Sequence, residues 1–342
     1  MLHFLNKSRH QFFKLIFLVL LMETGLVRGQ DMHFTQVYAA PIFLNPAFTG
    51  ANACSRFTLM NRTQWPGVTN PYKSFMLAFD HSLYSFPIGI GMIMGVDEAG
   101  AGGLRTTVIK PSFSYEAKIK KHYSLRLAIQ PGIGIKSVNF NNLLFGDQIY
   151  RGGSSVKTVE TPVQSKAYFD FSTGALFTSS NYWAGLSLNH LNMPNESFLN
   201  DLPQRLPIEY SVQLGAKIDL NKEEREVHQK KYFSPVLHYR RQNKFDQLDL
   251  GFYFTKHIFT LGLWYRGIPV LKAYKPGYQN NDALAIIVGI QTDKMKIGYS
   301  YDQTISNLNT VSRGAHEITL SYQLCNPKKR KPKLVLVSCP KF

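Results

Sequence analysis

HEITLSYQL, residues 316–324, sets His316, Ile318, Leu320, Tyr322 and Leu324 against Glu317, Thr319, Ser321 and Gln323. Successive side chains of a β-strand point to opposite faces, so this segment has one apolar and one wet face. MKIGYSYD (295–302) repeats the theme, with Met295, Ile297, Tyr299 and Tyr301 opposite Lys296, Gly298, Ser300 and Asp302. Working back along the chain, it recurs at Leu248, Leu250, Phe252 and Phe254, from Tyr210 to Leu220, at Phe169, Phe171 and Phe177, and from Tyr123 to Ile133. From Ser55 onward about 14 such segments follow one another, an even number as in single-chain outer-membrane barrels. No helical period competes over a comparable length. The fold class expected is therefore all-β, a transmembrane antiparallel up-and-down β-barrel. A soluble sandwich or lipocalin-like barrel is the competing arrangement, but such folds have fewer strands and turn the apolar face inward.

The connections separate into two kinds. Lys120-Lys121, Ser179 to Asn181, Lys256-His257 and Asp293-Lys294 are tight turns, whereas Lys136 to Val163, Leu191 to Leu206 and Gly267 to Asn281 are long. Short periplasmic turns alternating with long outer loops are a property of transmembrane barrels. Two connections break the alternation. Asn221 to Lys230 is long and charged on the short side, and Gln242 to Lys244 is short on the long side. Either one hairpin is miscounted or Glu223-Glu224-Arg225-Glu226 protrudes into the periplasm.

Lys7, Arg9 and Lys14 precede the apolar run Leu15 to Met22, and Gly25 to Gly29 leads to Gln30. A basic flank, a short apolar run and a small-residue exit describe a cleavable signal peptide. The run falls short of the about 20 apolar residues that span a bilayer. The expected organisation is a signal peptide at 1–29, a periplasmic N-terminal segment at 30–54, the barrel at 55–325, and a basic periplasmic tail at 326–342. Without the signal segment, where Lys7, Arg9, Lys14 and Arg28 stand against Glu23, the formal charge of +17 falls to about +14. An exported chain with no basic-aromatic module is not expected to bind nucleic acid, and outer-membrane lipid or acidic protein suits the charge better. The odd count of Cys54, Cys325 and Cys339 leaves one thiol over. Barrel closure brings the first strand to the last, so Cys54 and Cys325 meet at one rim, either bridged or as free thiols.

No nucleophile elbow, His-Glu-x-x-His motif or phosphate-binding glycine loop is present, and no enzyme activity, cofactor or metal is expected. Asn61-Arg62-Thr63 and Asn195-Glu196-Ser197 match a glycosylation pattern that is frequent by chance. The strand faces expected to look inward carry Asp80, Asp170, Asp219, Asp249, Asp302 and Glu317, together with Lys110, Arg126, Lys217 and Lys296. Opposed charges on a lumen wall can restrict a pore or close it.

Local motifs point further. Phe34-Thr35-Gln36 leading to LNPAFTG (44–50), NRTQWPG (61–67), VDEAGAGG (96–103), FGDQ (145–148), YWAGLSLNHLNMP (182–194), LWYRG (263–267), IGYSYDQTIS (297–306) and GAHEITLSY (314–322) occur in one order. Taken together they resemble the PorP/SprF family of Bacteroidetes outer-membrane proteins. That resemblance implies a non-enzymatic component of the type IX secretion system, linked to gliding motility. It implies as partners periplasmic ring or lipoprotein subunits of the machine, or a secreted adhesin with a C-terminal sorting domain. The basic tail departs from the family's expected end near the last strand. Within the family-like motifs, Arg62, Gln64, Trp65, Pro66, Asp97, Asp147, Asp302, His316 and Glu317 are the candidate partner-binding residues. For Trp65 and Pro66 a membrane-interface girdle is the competing role. A diffusion channel or solute transporter is the alternative function, and it requires an open lumen.

Overall fold

The computed structural model describes residues 31–52, 54–83, 86–100, 102–120, 122–140, 143–153, 164–198, 203–220, 231–268, 273–275, 278–306 and 312–325. The chain divides into two compact units, 1–33 and 34–342, and only 31–33 of the first are among the described residues. The signal peptide, the tail from Asn326, Cys339 and the charged stretch 221–230 lie outside them.

Strands β1 (Ser55–Gln64), β2 (Tyr72–Leu83), β3 (Ile88–Ala99), β4 (Leu104–Lys120), β5 (Tyr123–Ser137), β6 (Ser165–Thr178), β7 (Tyr182–Asn189) and β8 (Glu209–Ala216) follow one another in one sheet. β8 continues into the two-residue β9 (Ile218–Asp219), and then β10 (Lys231–Gln242), β11 (Phe245–Lys256) and β12 (Phe259–Gly267) follow. After a small separate hairpin, β13 (Ala273–Lys275) with β14 (Tyr278–Gln279), the sheet resumes with β15 (Asn281–Gln291), β16 (Met295–Thr304) and β17 (Ala315–Leu324). Each stave pairs antiparallel with the next. The ring closes where β1 meets β17, from Ser55 opposite Leu324 to Gln64 opposite Ala315. The result is a closed antiparallel barrel of 14 strands. Closure leaves no row of unpaired backbone groups, which is what permits strands to stand in lipid.

The alternation predicted from sequence assigns the faces correctly. Ile318 is 57 % exposed and its neighbour Glu317 is 0 % exposed. Phe57, Phe75, Leu127, Phe169, Leu250 and Ile286 likewise face out, while Thr58, Ser74, Ser112, Arg126, Ser172 and Asp249 are buried against the interior. Near the short-turn end, outward aromatics cluster: Tyr123 stacks on Phe177 with centroids 5.9 Å apart, and Phe233 lies 5.5 Å from Phe252. Such rings favour a membrane–water boundary. The short hairpin at Gln242 is genuine, because β10 and β11 stay in register to Gln242 opposite Phe245. Asn243 at φ 54° makes the turn, a conformation Asn tolerates. The 14 strands pair in order, and Glu223-Glu224-Arg225-Glu226 lies outside the described residues.

One part of the expected organisation is corrected. The sequence leads to the expectation that residues 30–54 form a periplasmic segment apart from the barrel. Residues 34–51 instead occupy the lumen, with Phe34, Tyr38, Ile42, Ala47 and Phe48 each exposed by 1 % or less. The segment carries a short helix, α1 (Pro41–Leu44), and a 3₁₀ turn, Pro46–Phe48. Asn45 caps that turn through Ala47 N–H at 2.9 Å, while its amide donates to the carbonyls of Ala175 and Leu186 on β6 and β7. Glycine at 174 is required for this approach, since a Cβ there would stand 2.0 Å from Asn45 Oδ1. A wide barrel leaves room in its lumen that the inward side chains of its own wall do not fill. The segment packs there with inward wall residues such as Met60, Met76, Trp183 and Trp264 to form an apolar core.

Cys54 and Cys325 are joined by a disulfide, with Cα atoms 4.5 Å apart and a sequence separation of 271. The bond links the exit of the lumen segment to the end of the last strand. A loop of that length places the stabilisation near the top of the usual range, so Cys54→Ser is expected to cost about 3–5 kcal/mol. The check is the urea midpoint of the oxidised protein against the variant, with dithiothreitol abolishing the difference.

Candidate functional site

The lumen segment and the wall that grips it form the most elaborate polar arrangement among the described residues. From β1, Arg62 donates to Asp302 Oδ2 on β16 at 2.9 Å and to Glu317 Oε2 on β17 at 3.2 Å. Arg266 of β12 donates to the same Asp302 oxygen at 3.3 Å and to Asp249 Oδ1 of β11 at 3.1 Å. Two guanidiniums thus sit among three carboxylates, all nearly excluded from solvent. Buried charges persist only when paired and hydrogen-bonded. The segment completes that pairing.

The backbone N–H groups of Thr35 and Gln36 donate to the two oxygens of Glu317 at 2.8 and 2.9 Å. The Thr35 hydroxyl donates to Asp302 at 2.6 Å and accepts from Arg62 at 2.9 Å and Arg266 at 3.0 Å. Gln36 donates to the Glu317 carbonyl at 3.1 Å and accepts from Thr319 at 2.8 Å. At the segment's other end, Thr49 bonds Ser112 at 2.7 Å, and Arg126, paired with Glu116 at 3.2 Å, donates to the Thr49 carbonyl at 3.2 Å. Gly50 N–H reaches Asp80, which also holds Arg56 at 2.8 Å. Lys110, Asp170 and His190 form a further inner group at 2.6 and 3.0 Å.

Between the two polar anchors lies an aromatic layer. Tyr38 stacks on Trp264 with centroids 6.0 Å apart and meets Trp183 at 5.3 Å and Tyr253 at 6.1 Å. Trp264 lies flat on Gly251, where a Cβ would stand 2.4 Å from the ring. Gly251→Ala is therefore expected to displace Trp264 and destabilise the barrel by about 1–3 kcal/mol. Denaturant unfolding followed by tryptophan fluorescence measures it.

Of the candidates named from sequence, Arg62, Asp302 and Glu317 converge at the Thr35 anchor. The others do not. Gln64 lies at the long-loop end of β1. Trp65, at φ 57°, packs edge-on against Tyr72 and donates its N–H to the Gly314 carbonyl at 2.8 Å. Gly67 N–H bonds the Ser312 carbonyl, so the WPG turn is tied to the loop before β17, and Pro66 is exposed. Asp97 accepts from Ser74 at 2.5 Å near the mouth. His316 faces outward and bonds the Tyr299 hydroxyl at 2.8 Å. Asp147 belongs to a short exposed helix, α2 (Gly146–Arg151), and pairs with Arg151. Asn195, of the second glycosylation-like triplet, accepts from Ser197 and Gln204 N–H, which makes it a turn former. The residues not singled out were Thr35, Gln36, Asn45 and Arg266. Each lies inside a motif quoted above, but partners on other strands, 130 or more positions away for Asn45 and more than 200 for Thr35 and Gln36, give no local signal.

A serine, a histidine and an acid do approach one another on the inner wall. Ser211 Oγ lies 2.8 Å from His238 Nε2. The His238 Nδ1 to Asp249 Oδ2 distance of 3.8 Å exceeds a hydrogen bond. Asp249 is instead engaged by Arg266 and by Gln247 Nε2 at 2.8 Å, and Ser211 takes a bond from Gln213 at 2.6 Å. With its acid held by a guanidinium, this group lacks the orienting bond a nucleophilic triad needs.

A closed barrel with lipid-facing apolar strands, a charged inner wall and a segment of its own chain pinned in the lumen defines an outer-membrane β-barrel protein. Within that class, the chain belongs to the type IX secretion system membrane protein PorP/SprF family, whose model matches residues 26–322. Among solved structures it is similar to a TodX deltaS2S3 mutant monoaromatic hydrocarbon channel, at 10 % identity, 84 % of this chain, 94 % of that one and a TM-score of 0.47. It is also similar to the Pseudomonas putida toluene transporter TodX, at 10 % identity over 86 % and 95 % of the two chains with a TM-score of 0.42. BamA from Haemophilus ducreyi lacking POTRA domains 1–3 gives 8 % identity, coverages of 80 % and 70 %, and a TM-score of 0.41. No curated protein matches the chain in sequence.

Proposed function

We propose that this protein is a non-enzymatic, partner-binding component of the type IX secretion system rather than a diffusion channel. The observation that carries the reading is the pinned lumen segment. A solute channel needs a continuous wet path, whereas residues 34–51 fill the barrel with an apolar core held at Thr35, Gln36, Thr49 and Gly50. A barrel occupied in this way acts through its ends. Export by the 1–29 signal would set the short turns in the periplasm, facing ring or lipoprotein subunits of the machine. The long loops would then face outward, where a secreted adhesin with a C-terminal sorting domain is the partner and gliding motility the process served. Tagged protein, solubilised from outer membrane and analysed by mass spectrometry, is expected to carry secretion subunits or one surface adhesin. A lone barrel that conducts ions in planar bilayers would overturn the reading and establish the channel.

A further inference from the structure

The outer wall carries a feature that partner binding at the ends does not use. Across β7, β8, β10, β11, β12 and β15 the lipid-facing surface is recessed, forming a hollow of about 1060 Å³. Its lining is almost wholly apolar and includes Ala184, Ala216, Pro235, Leu250, Leu263 and Ile286. Its floor is one backbone thick. At Gly215 and Gly251 the rings of Trp183 and Trp264 press on the inner side of the same wall, at sites where any Cβ would collide. A flat or convex wall offers a neighbouring hydrocarbon chain contact on one side only. An open recess touches it along more of its surface, and dispersion contacts sum accordingly.

The short-turn end of the same staves carries charge. Pro235 lies opposite Phe252 on neighbouring strands, and four residues along both strands Lys231 lies opposite Lys256. Four strand residues cover roughly 13 Å. By strand alternation both lysines share the outward face with Pro235 and Phe252, and the Phe233–Phe252 ring pair lies between. No ion pair of Lys231 or Lys256 occurs among the described residues. Like charges directly opposite one another on a sheet repel unless an anion joins them. An apolar recess at mid-barrel, an aromatic step and a paired cation at the membrane boundary match the three zones of a phospholipid.

We propose that this face is a specific site for one anionic glycerophospholipid of the leaflet on the short-turn side. Its phosphate meets Lys231 and Lys256, and an acyl chain lies in the recess over Gly215 and Gly251. Partner proteins are not required for it, so its failure and that of the secretion reading are separable.

The test is native mass spectrometry of delipidated, detergent-solubilised full-length protein offered equimolar dioleoyl phosphatidylglycerol and dioleoyl phosphatidylcholine. The wild type is expected to retain one phosphatidylglycerol at low lipid excess. K231Q/K256Q, altered only at the boundary, is expected to lose the preference for phosphatidylglycerol by roughly ten- to thirty-fold while still binding lipid. A184L/A216L fills the recess from outside the barrel and is expected to lose the retained lipid of either kind. Wild type and both variants binding the two lipids alike, as a general annulus, would overturn the proposal. So would a retained lipid that A184L/A216L keeps. Unchanged heat-modifiable migration of each variant on gels establishes that its barrel is folded.

Discussion

Excising residues 34–51 is expected to turn a closed barrel into a conducting one. The segment contributes Phe34, Tyr38, Ile42 and Phe48 to the lumen core, and its removal opens the lumen to water along the Ser, Thr, Asp and Arg side chains of a wall that also carries Trp183, Tyr253 and Trp264. The strands themselves keep their ladder, including the β1 to β17 closure and the Cys54–Cys325 bond. Planar-bilayer recordings should show no steps above baseline for the intact protein and sustained single-channel steps for the excised one. Heat-modifiable migration on gels checks that the excised barrel has folded. A folded, excised barrel that stays silent would show that loops, not the segment, close the lumen, and would remove the observation on which the function rests. A milder form of the same experiment replaces Thr35 and Gln36 by Val. Their side-chain bonds to Asp302, Arg62, Arg266 and Thr319 are lost while the backbone bonds to Glu317 remain. Intermittent opening is the expected result.

Glu317→Ala is expected to be the most destabilising single substitution, at about 3–5 kcal/mol. Glu317 is wholly buried, accepts two backbone N–H bonds from the segment and pairs with Arg62. Its removal strands those two donors and leaves Arg62 with Asp302 as its remaining acid. The double variant R62M/E317M should cost less than the sum of the single changes, because replacing a whole buried pair avoids leaving a lone charge. Urea unfolding in vesicles provides the comparison. Additive losses would mean that the two side chains act independently, contrary to their 3.2 Å contact.

How much of this was legible beforehand depends on the range over which each feature is encoded. The barrel was. Alternation in segments such as 316–324 and 295–302 marks both the strand and its lipid face, because a period of two is set by the backbone alone. Of the inward acids expected from the same alternation, Asp80, Asp170, Asp249, Asp302 and Glu317 are buried, while Asp219 is half-buried. The partners of those acids were not legible. Arg62 lies 240 positions from Asp302 and Thr35 lies 282 from Glu317. Only closure of the ring brings β1 beside β17 and aligns the pairs.

The sequence by itself determined the strand count, the two faces, the short and long connections and the membership in a secretion-system barrel family, since each is a local pattern or an ordered set of motifs. Tertiary structure alone decided the place of residues 34–51. Nothing in LNPAFTG distinguishes a segment lying outside a barrel from one inside it. The choice is made by the volume the closed wall encloses and by buried carboxylates and guanidiniums that need donors and acceptors the wall does not supply. The recess over Gly215 and Gly251 was equally hidden. It exists only because six staves, drawn from residues 182 to 286, stand side by side with tryptophans pressed against their inner face.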